Sequence, residues 1–243
     1  MANPMFNEER VQSYAGVGRM TAQGTILKTG ILLLLLLFTA VWSWSAAIAN
    51  PGIAMPLMIG SMLLGLGMVI WSVIKPAHSP LLAPAYALVE GVFVGVVSLV
   101  FSTMIPGAYS GMVSQAVVIT IGILAVMLGL YVGRIIVVTD KLRSMVMIAT
   151  FGVMAIYLLS FGLSFFGISV PYIHEGGLLG IGFSLLVIGI ASFNLLLDFD
   201  FIEKGENYGL PAYMEWFGAM GLVVTLVWLY IEVLRLLSKL NRD

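Results

Sequence analysis

Glu90, Asp198, Asp200, Glu215 and Glu232 lie in or at the ends of apolar stretches, and they are five of the 12 acids in the chain. A carboxylate in mid-bilayer costs about 2.5–3.5 kcal/mol on insertion scales, so each must be paired, protonated or in contact with water. Glu90 has no basic residue within a helical turn, which predicts that it faces a polar interior or carries a proton. Asn194 and Asp198 are i and i+4 and share a helix face. Aspartate with an amide carbonyl is the oxygen chemistry calcium favours, though two residues of one helix do not complete a site. Asp200 points elsewhere and has Lys204 close by in sequence to offset its charge. Glu215, Gly218, Leu222, Thr225 and Glu232 recur at intervals of three, four and seven, so they run down one helix face. Asn194, Gly218 and Thr225 are therefore pore-lining candidates, and Asp198, Glu90, Asp200 and Glu215 are candidate gating or pH-sensing groups. Two carboxylates a hydrogen bond apart hold one proton between them. Glu232 has Arg235 at i+3 as an ion-pair partner. Glu215 beside Trp216 also suits an interfacial anchor.

Other chemistries lack their residues. His174-Glu175 is followed by Leu178 where a zinc-protease motif needs histidine. His78 and His174 fall on opposite sides of the expected topology. There is no Walker loop, the last apolar segment carries no mid-helix lysine, and cysteine is absent. No cofactor and no enzyme activity are expected.

Elements of one kind must position these acids. Of 243 residues, 60% are hydrophobic and 9% charged, with a mean hydropathy of +1.08. A soluble domain carries roughly 25% charged residues, so lipid must cover this surface. The net charge of −1 leaves no basic footprint for nucleic acid. A hydrocarbon core of about 30 Å takes about 20 apolar residues per helix. That length yields segments at 26–49, 53–74, 84–104, 111–133, 145–167, 178–198 and 211–237. Asn50-Pro51-Gly52, Lys75 to Pro80, Pro106-Gly107, Asp140 to Arg143, Pro171 to Gly177 and Glu203 to Pro211 separate them. The expectation is an all-α polytopic membrane protein: a tail at 1–25, a seven-helix transmembrane domain at 26–237 with the striped last helix at its centre, and a tail at 238–243. The first segment ends in Ala47-Ile48-Ala49, but its apolar run exceeds the 7–15 residues of a signal peptide. With Pro84 taken as a helix start, Glu90 lies roughly 9 Å deep. Gly91/Gly95 and Gly129/Gly133 have the GxxxG spacing of closely packed membrane helices.

Basic residues predict orientation. A cytoplasmic N-terminus collects Arg10, Arg19, Lys28, Lys75, Arg134, Lys141, Arg143 and Lys204 inside. Arg235, Lys239 and Arg242 then fall outside, against the rule.

Ala85-Tyr86-Ala87-Leu88-Val89-Glu90-Gly91, Leu197-Asp198-Phe199-Asp200-Phe201-Ile202-Glu203, Glu215-Trp216 and Trp228 to Leu237 resemble the Bax inhibitor-1 (transmembrane Bax inhibitor motif) superfamily, in its bacterial Bax inhibitor-1/YccA-like branch. The resemblance spans nearly the whole chain. It implies a bacterial inner-membrane protein of seven helices with the last one central. In one branch it implies a calcium leak, gated by aspartates on the sixth and seventh helices that share a proton. Asp198 matches the first aspartate, while the second falls at Thr225, and the basic latch of that gate has no mid-helix match. Either Asp200, Glu215 or Glu90 substitutes, or this branch is not gated so. The resemblance also implies an alternative, a non-conducting regulator that binds another membrane protein such as a membrane-bound protease. The partners expected are the lipid bilayer, calcium or protons, and such a protein.

Overall fold

A computed structural model describes residues 18–103, 109, 111–164 and 177–241. It contains seven helices long and apolar enough to cross a membrane: α1 (Ala22–Ala49), α2 (Ala54–Ile74), α3 (Ser79–Thr103), α4 (Met112–Val132), α5 (Asp140–Ser164), α6 (Leu178–Asn207) and α7 (Tyr213–Leu240). No strand occurs among the described residues. The protein is an all-α polytopic membrane protein. Large apolar side chains such as Leu34, Phe38, Val118 and Ile148 point outward, where hydrocarbon replaces water as the solvent.

Helix ends follow local capping more closely than they follow apolar composition. Thr21 is extended and its Oγ1 accepts from the Gly24 amide at 2.9 Å, so α1 begins at Ala22 and the N-terminal tail is shorter than 1–25. Asn50 and Lys75 each precede proline and leave the helical region, as a pre-proline residue must. The corner after α2 is tied by Trp71 Nε1 donating to His78 Nδ1 (3.1 Å) and by the Ser72–Ser79 hydroxyl pair (2.9 Å). Helix α3 therefore starts at Ser79, and Pro84 lies inside it. Glu90 is thus about 16 Å from the helix start, not 9. The Thr139 hydroxyl caps α5 by accepting from the Leu142 amide at 3.2 Å. Asp140 to Arg143 accordingly form its first turn instead of a connection, with Asp140 favourable at the positive end of the helix dipole.

The sixth helix departs furthest from expectation. It runs to Asn207, so Asp198 and Asp200 lie within it and do not close it. Gly209 (φ 65°) terminates it, with the Leu210 amide returning to the Gly205 carbonyl at 2.9 Å. Only a residue tolerant of the left-handed region ends a helix this way. The last helix extends to Leu240, which shortens the C-terminal tail. The Pro106-Gly107 and Pro171 to Gly176 breakers, His174, Arg10 and Arg242 lie outside the described residues.

The chain forms two compact units, one of residues up to Leu99 with Asp198–Val224, the other of Val100–Leu197 with Thr225–Asp243. Helix α7 is the most enclosed of the spans, 72% buried over its apolar window against 50% for the α3 span and 11–33% for the other five.

In the first unit, α3 lies flat on α1. A methyl group at Gly91 would overlap the Leu36 carbonyl and Thr39 Oγ1, and one at Gly95 would overlap the Ala40 carbonyl and Ser43 Oγ. These glycines form a packing seam of the kind the spacing predicts. Gly129/Gly133 does not: a methyl at Gly129 meets nothing within 4 Å, and one at Gly133 meets only its own helix end. The spacing there reports the end of α4, where the Gly133 amide bonds back to the Gly129 carbonyl.

Candidate functional site

Glu215, Asp200, Glu90 and Asp198, all of the first unit, occupy different settings. Glu215, at the start of α7, is the most heavily bonded. Its Oε1 accepts from the Thr21 amide (2.8 Å) and hydroxyl (2.9 Å), and its Oε2 from the Lys28 ammonium. The same lysine lies 5.4 Å from the centre of the Trp216 ring. Gly24 makes the arrangement possible, because a methyl there would collide with the carboxylate. A carboxylate with several charge-assisted bonds in one geometry is a structural clamp.

Asp200 is buried and takes a bond from Lys204 Nζ at 2.9 Å. Glu90, partly buried in α3, interacts with Tyr86 one turn earlier. Gly65 of α2 leaves room for the carboxyl: a methyl there would stand 2.8 Å from Glu90 Oε2. The acid faces a neighbouring helix backbone and a phenol, as a costly intramembrane carboxyl must face something polar.

Asp198 is partly buried on α6. Its Oδ1 lies over α7 at Gly221, 4.0 Å from where a methyl would stand. One turn away, Gly218 is not open space: Thr25 Cγ2, Ile202 Cγ1 and Met20 Cε would lie 3.4–3.5 Å from a methyl there. Gly218 is a packing position filled by its neighbours, where the helix stripe predicts a lining one.

In the second unit, Glu232 (1% exposed) accepts from Arg235 NH1 at 2.9 and 3.2 Å and from the Tyr157 hydroxyl at 2.8 Å. Arg235 also donates to the Tyr157 oxygen and lies over that ring, 4.8 Å from its centre. The Asn194 amide donates to Thr150 Oγ1 (2.8 Å) and to the Ile190 carbonyl (2.9 Å), which holds α6 to α5. Thr225 is buried within α7. Lys239 is 1% exposed, its ammonium donating to the Gly180 carbonyl (2.9 Å) and to Ser184 Oγ (3.0 Å). No group of three His, Asp or Glu residues suited to a metal occurs among the described residues.

Sequence reading missed Lys28, Thr21, Tyr157 and Lys239 as partners. A signal existed for Lys28, a lone cation two residues inside an apolar run. Nothing in the pattern could say that its acid stands 187 positions later.

A family model described as Bax inhibitor 1 like matches residues 3–242. The chain belongs to that family. No curated protein matches it. In this Bax inhibitor 1 like chain, the blocks that carried the resemblance hold the acids just described. Glu90 and Gly91 lie where α3 meets α2 and α1, Asp198 lies where α6 meets Gly221, and Glu232 with Arg235 forms the buried pair of α7. The family match extends over both units.

Proposed function

We propose that this integral membrane protein is a non-enzymatic, proton-sensitive calcium leak, with Asp198 as its titrating group. The observation that supports this reading most strongly is the setting of Asp198 against the α7 backbone at Gly221, while Asp200 and Glu215 are each bonded to a lysine. An acid held by a lysine is poorly placed to share a proton with another carboxyl. Asp198 works as the titrating carboxyl where α6 meets α7 at Gly221. Loss of its proton supplies a charge that attracts a cation and disfavours close contact with the apolar helix beside it, so flux rises with pH. The membrane is the bacterial inner membrane with the N-terminus in the cytoplasm. Two of the three basic residues that oppose this orientation, Arg235 and Lys239, are side chains of α7 bonded within the protein.

Purified protein in liposomes loaded with a calcium dye should pass calcium, more at mildly alkaline than at mildly acidic pH. Asp198→Asn should hold the flux at one level across that range, because an amide cannot exchange the proton. An unchanged pH response in Asp198→Asn removes this residue from the gate. Absence of flux from both proteins favours a non-conducting regulator of another membrane protein.

A further inference from the structure

The segment before α1 is not a helix, yet it is bonded to the connection between α6 and α7. The Met20 amide donates to the Leu210 carbonyl and the Ala212 amide to the Gly18 carbonyl, both at 2.6 Å, forming an antiparallel bridge of Arg19 with Pro211. The bridge stays short because α1 begins at Ala22 and α7 at Tyr213. Thr21 adds its two bonds to Glu215. Met20 is 1% exposed and packs in a cluster with Ile202, Leu210 and Met214.

Two glycines make room for Met20. A methyl at Gly205 would stand 2.6 Å from its sulfur, and one at Gly218 3.5 Å from its terminal methyl. Gly218 is one turn of α7 from Gly221, over which Asp198 lies. The Met20 side chain therefore fills the space between α6 and α7 directly beside the proposed gate. Three physical features make this attachment releasable. It has only two backbone bonds, its buried group is an unbranched thioether that can slide from an irregular gap, and its polar anchor is one carboxylate.

We propose that residues 18–21 form a strap whose Met20 plugs the α6–α7 crossing, and that the strap must lift for the crossing to open. The regulation rests on the calcium-leak reading; the strap itself does not. With the strap seated, the Glu215 clamp ties the starts of α1 and α7 together, and Met20 occupies the place that a hydrated ion would need. With it lifted, the space that the Met20 terminal methyl fills beside Gly218 is vacated, one turn of α7 from Gly221 and Asp198.

The chain has no cysteine, and a Cβ at Gly18 would stand 3.6 Å from Ala212 Cβ, inside the Cβ–Cβ range of about 3.5–4.5 Å that a disulfide spans. The double variant Gly18→Cys/Ala212→Cys should cross-link on oxidation. Calcium flux should then fall by about ten-fold or more and return on reduction, a coupling of ordinary allosteric size. Met20→Ala should raise flux in the reduced state. Equal flux from oxidised and reduced protein overturns the regulatory role, and failure to cross-link overturns the geometry. Hydrogen exchange supplies a readout independent of conduction. The Met20 and Ala212 amides should exchange together, faster than those of the α7 interior. Glu215→Gln should speed both about ten-fold, and oxidation of the cysteine pair should suppress the exchange. If no form passes calcium, the leak reading fails and exchange decides the strap: amides as slow as the α7 interior, unmoved by Glu215→Gln, would show a permanent staple.

Discussion

Arg235→Met should lower the stability of the folded protein by about 3–5 kcal/mol, the loss expected when one partner of a buried ion pair is removed. The reason is asymmetric burial. Glu232 is 1% exposed and Arg235 22%, so the substitution strands a carboxylate that has lost both bonds to the guanidinium and keeps only the Tyr157 hydroxyl. Thermal unfolding in detergent should show the loss as a lower midpoint. Glu232→Leu/Arg235→Met should recover most of it, because exchanging a whole buried pair for apolar groups is often neutral. Tyr157→Phe keeps the ring under the guanidinium and removes a hydroxyl bonded to both charges, so it should cost about 1–3 kcal/mol. A single variant no less stable than the double one would mean that the carboxylate is satisfied some other way.

Gly91→Val should be nearly as damaging, at about 2–3 kcal/mol, the upper part of the usual overpacking range. A Cβ at Gly91 meets the Leu36 carbonyl, which is backbone and cannot rotate away as a side chain would. Helices α1 and α3 would have to separate along the whole seam that includes Gly95, Ala40 and Ser43. Gly129→Val provides the control, since nothing lies within 4 Å of a Cβ there. Unfolding midpoints should separate the two variants although both change the first glycine of a GxxxG pair. Similar losses in both would refer the effect to helix propensity or insertion and not to the α1–α3 contact.

These two contrasts show where sequence pattern was sufficient and where it was not. Gly91/Gly95 and Gly129/Gly133 have the same spacing, but only the first pair has a helix laid against it. Spacing states that an approach is permitted; a partner backbone must make it. Helix boundaries divide in a similar way. Composition located all seven spans, because apolar length is a direct demand of the bilayer. Their ends were set by individual residues, namely the Thr21 and Thr139 hydroxyls and the Gly209 turn. The last of these carried α6 nine residues beyond Asp198.

By itself the sequence determined that the chain crosses a membrane as α-helices, that the acids lie in or at the ends of apolar stretches, and that Arg235 lies one turn from Glu232. Each of these depends on composition or on neighbours within a few residues, where a helix has fixed geometry. Tertiary structure alone decided which distant groups Glu215 and Glu232 meet, and what fills the space beside Asp198. Lys28 reaches Glu215, Tyr157 reaches Glu232, and Met20 reaches Gly218 across long stretches of chain. A carboxyl in hydrocarbon must find a polar partner, and that requirement is legible in its position. Which partner it finds depends on which helix faces pack together, and no local pattern encodes that choice.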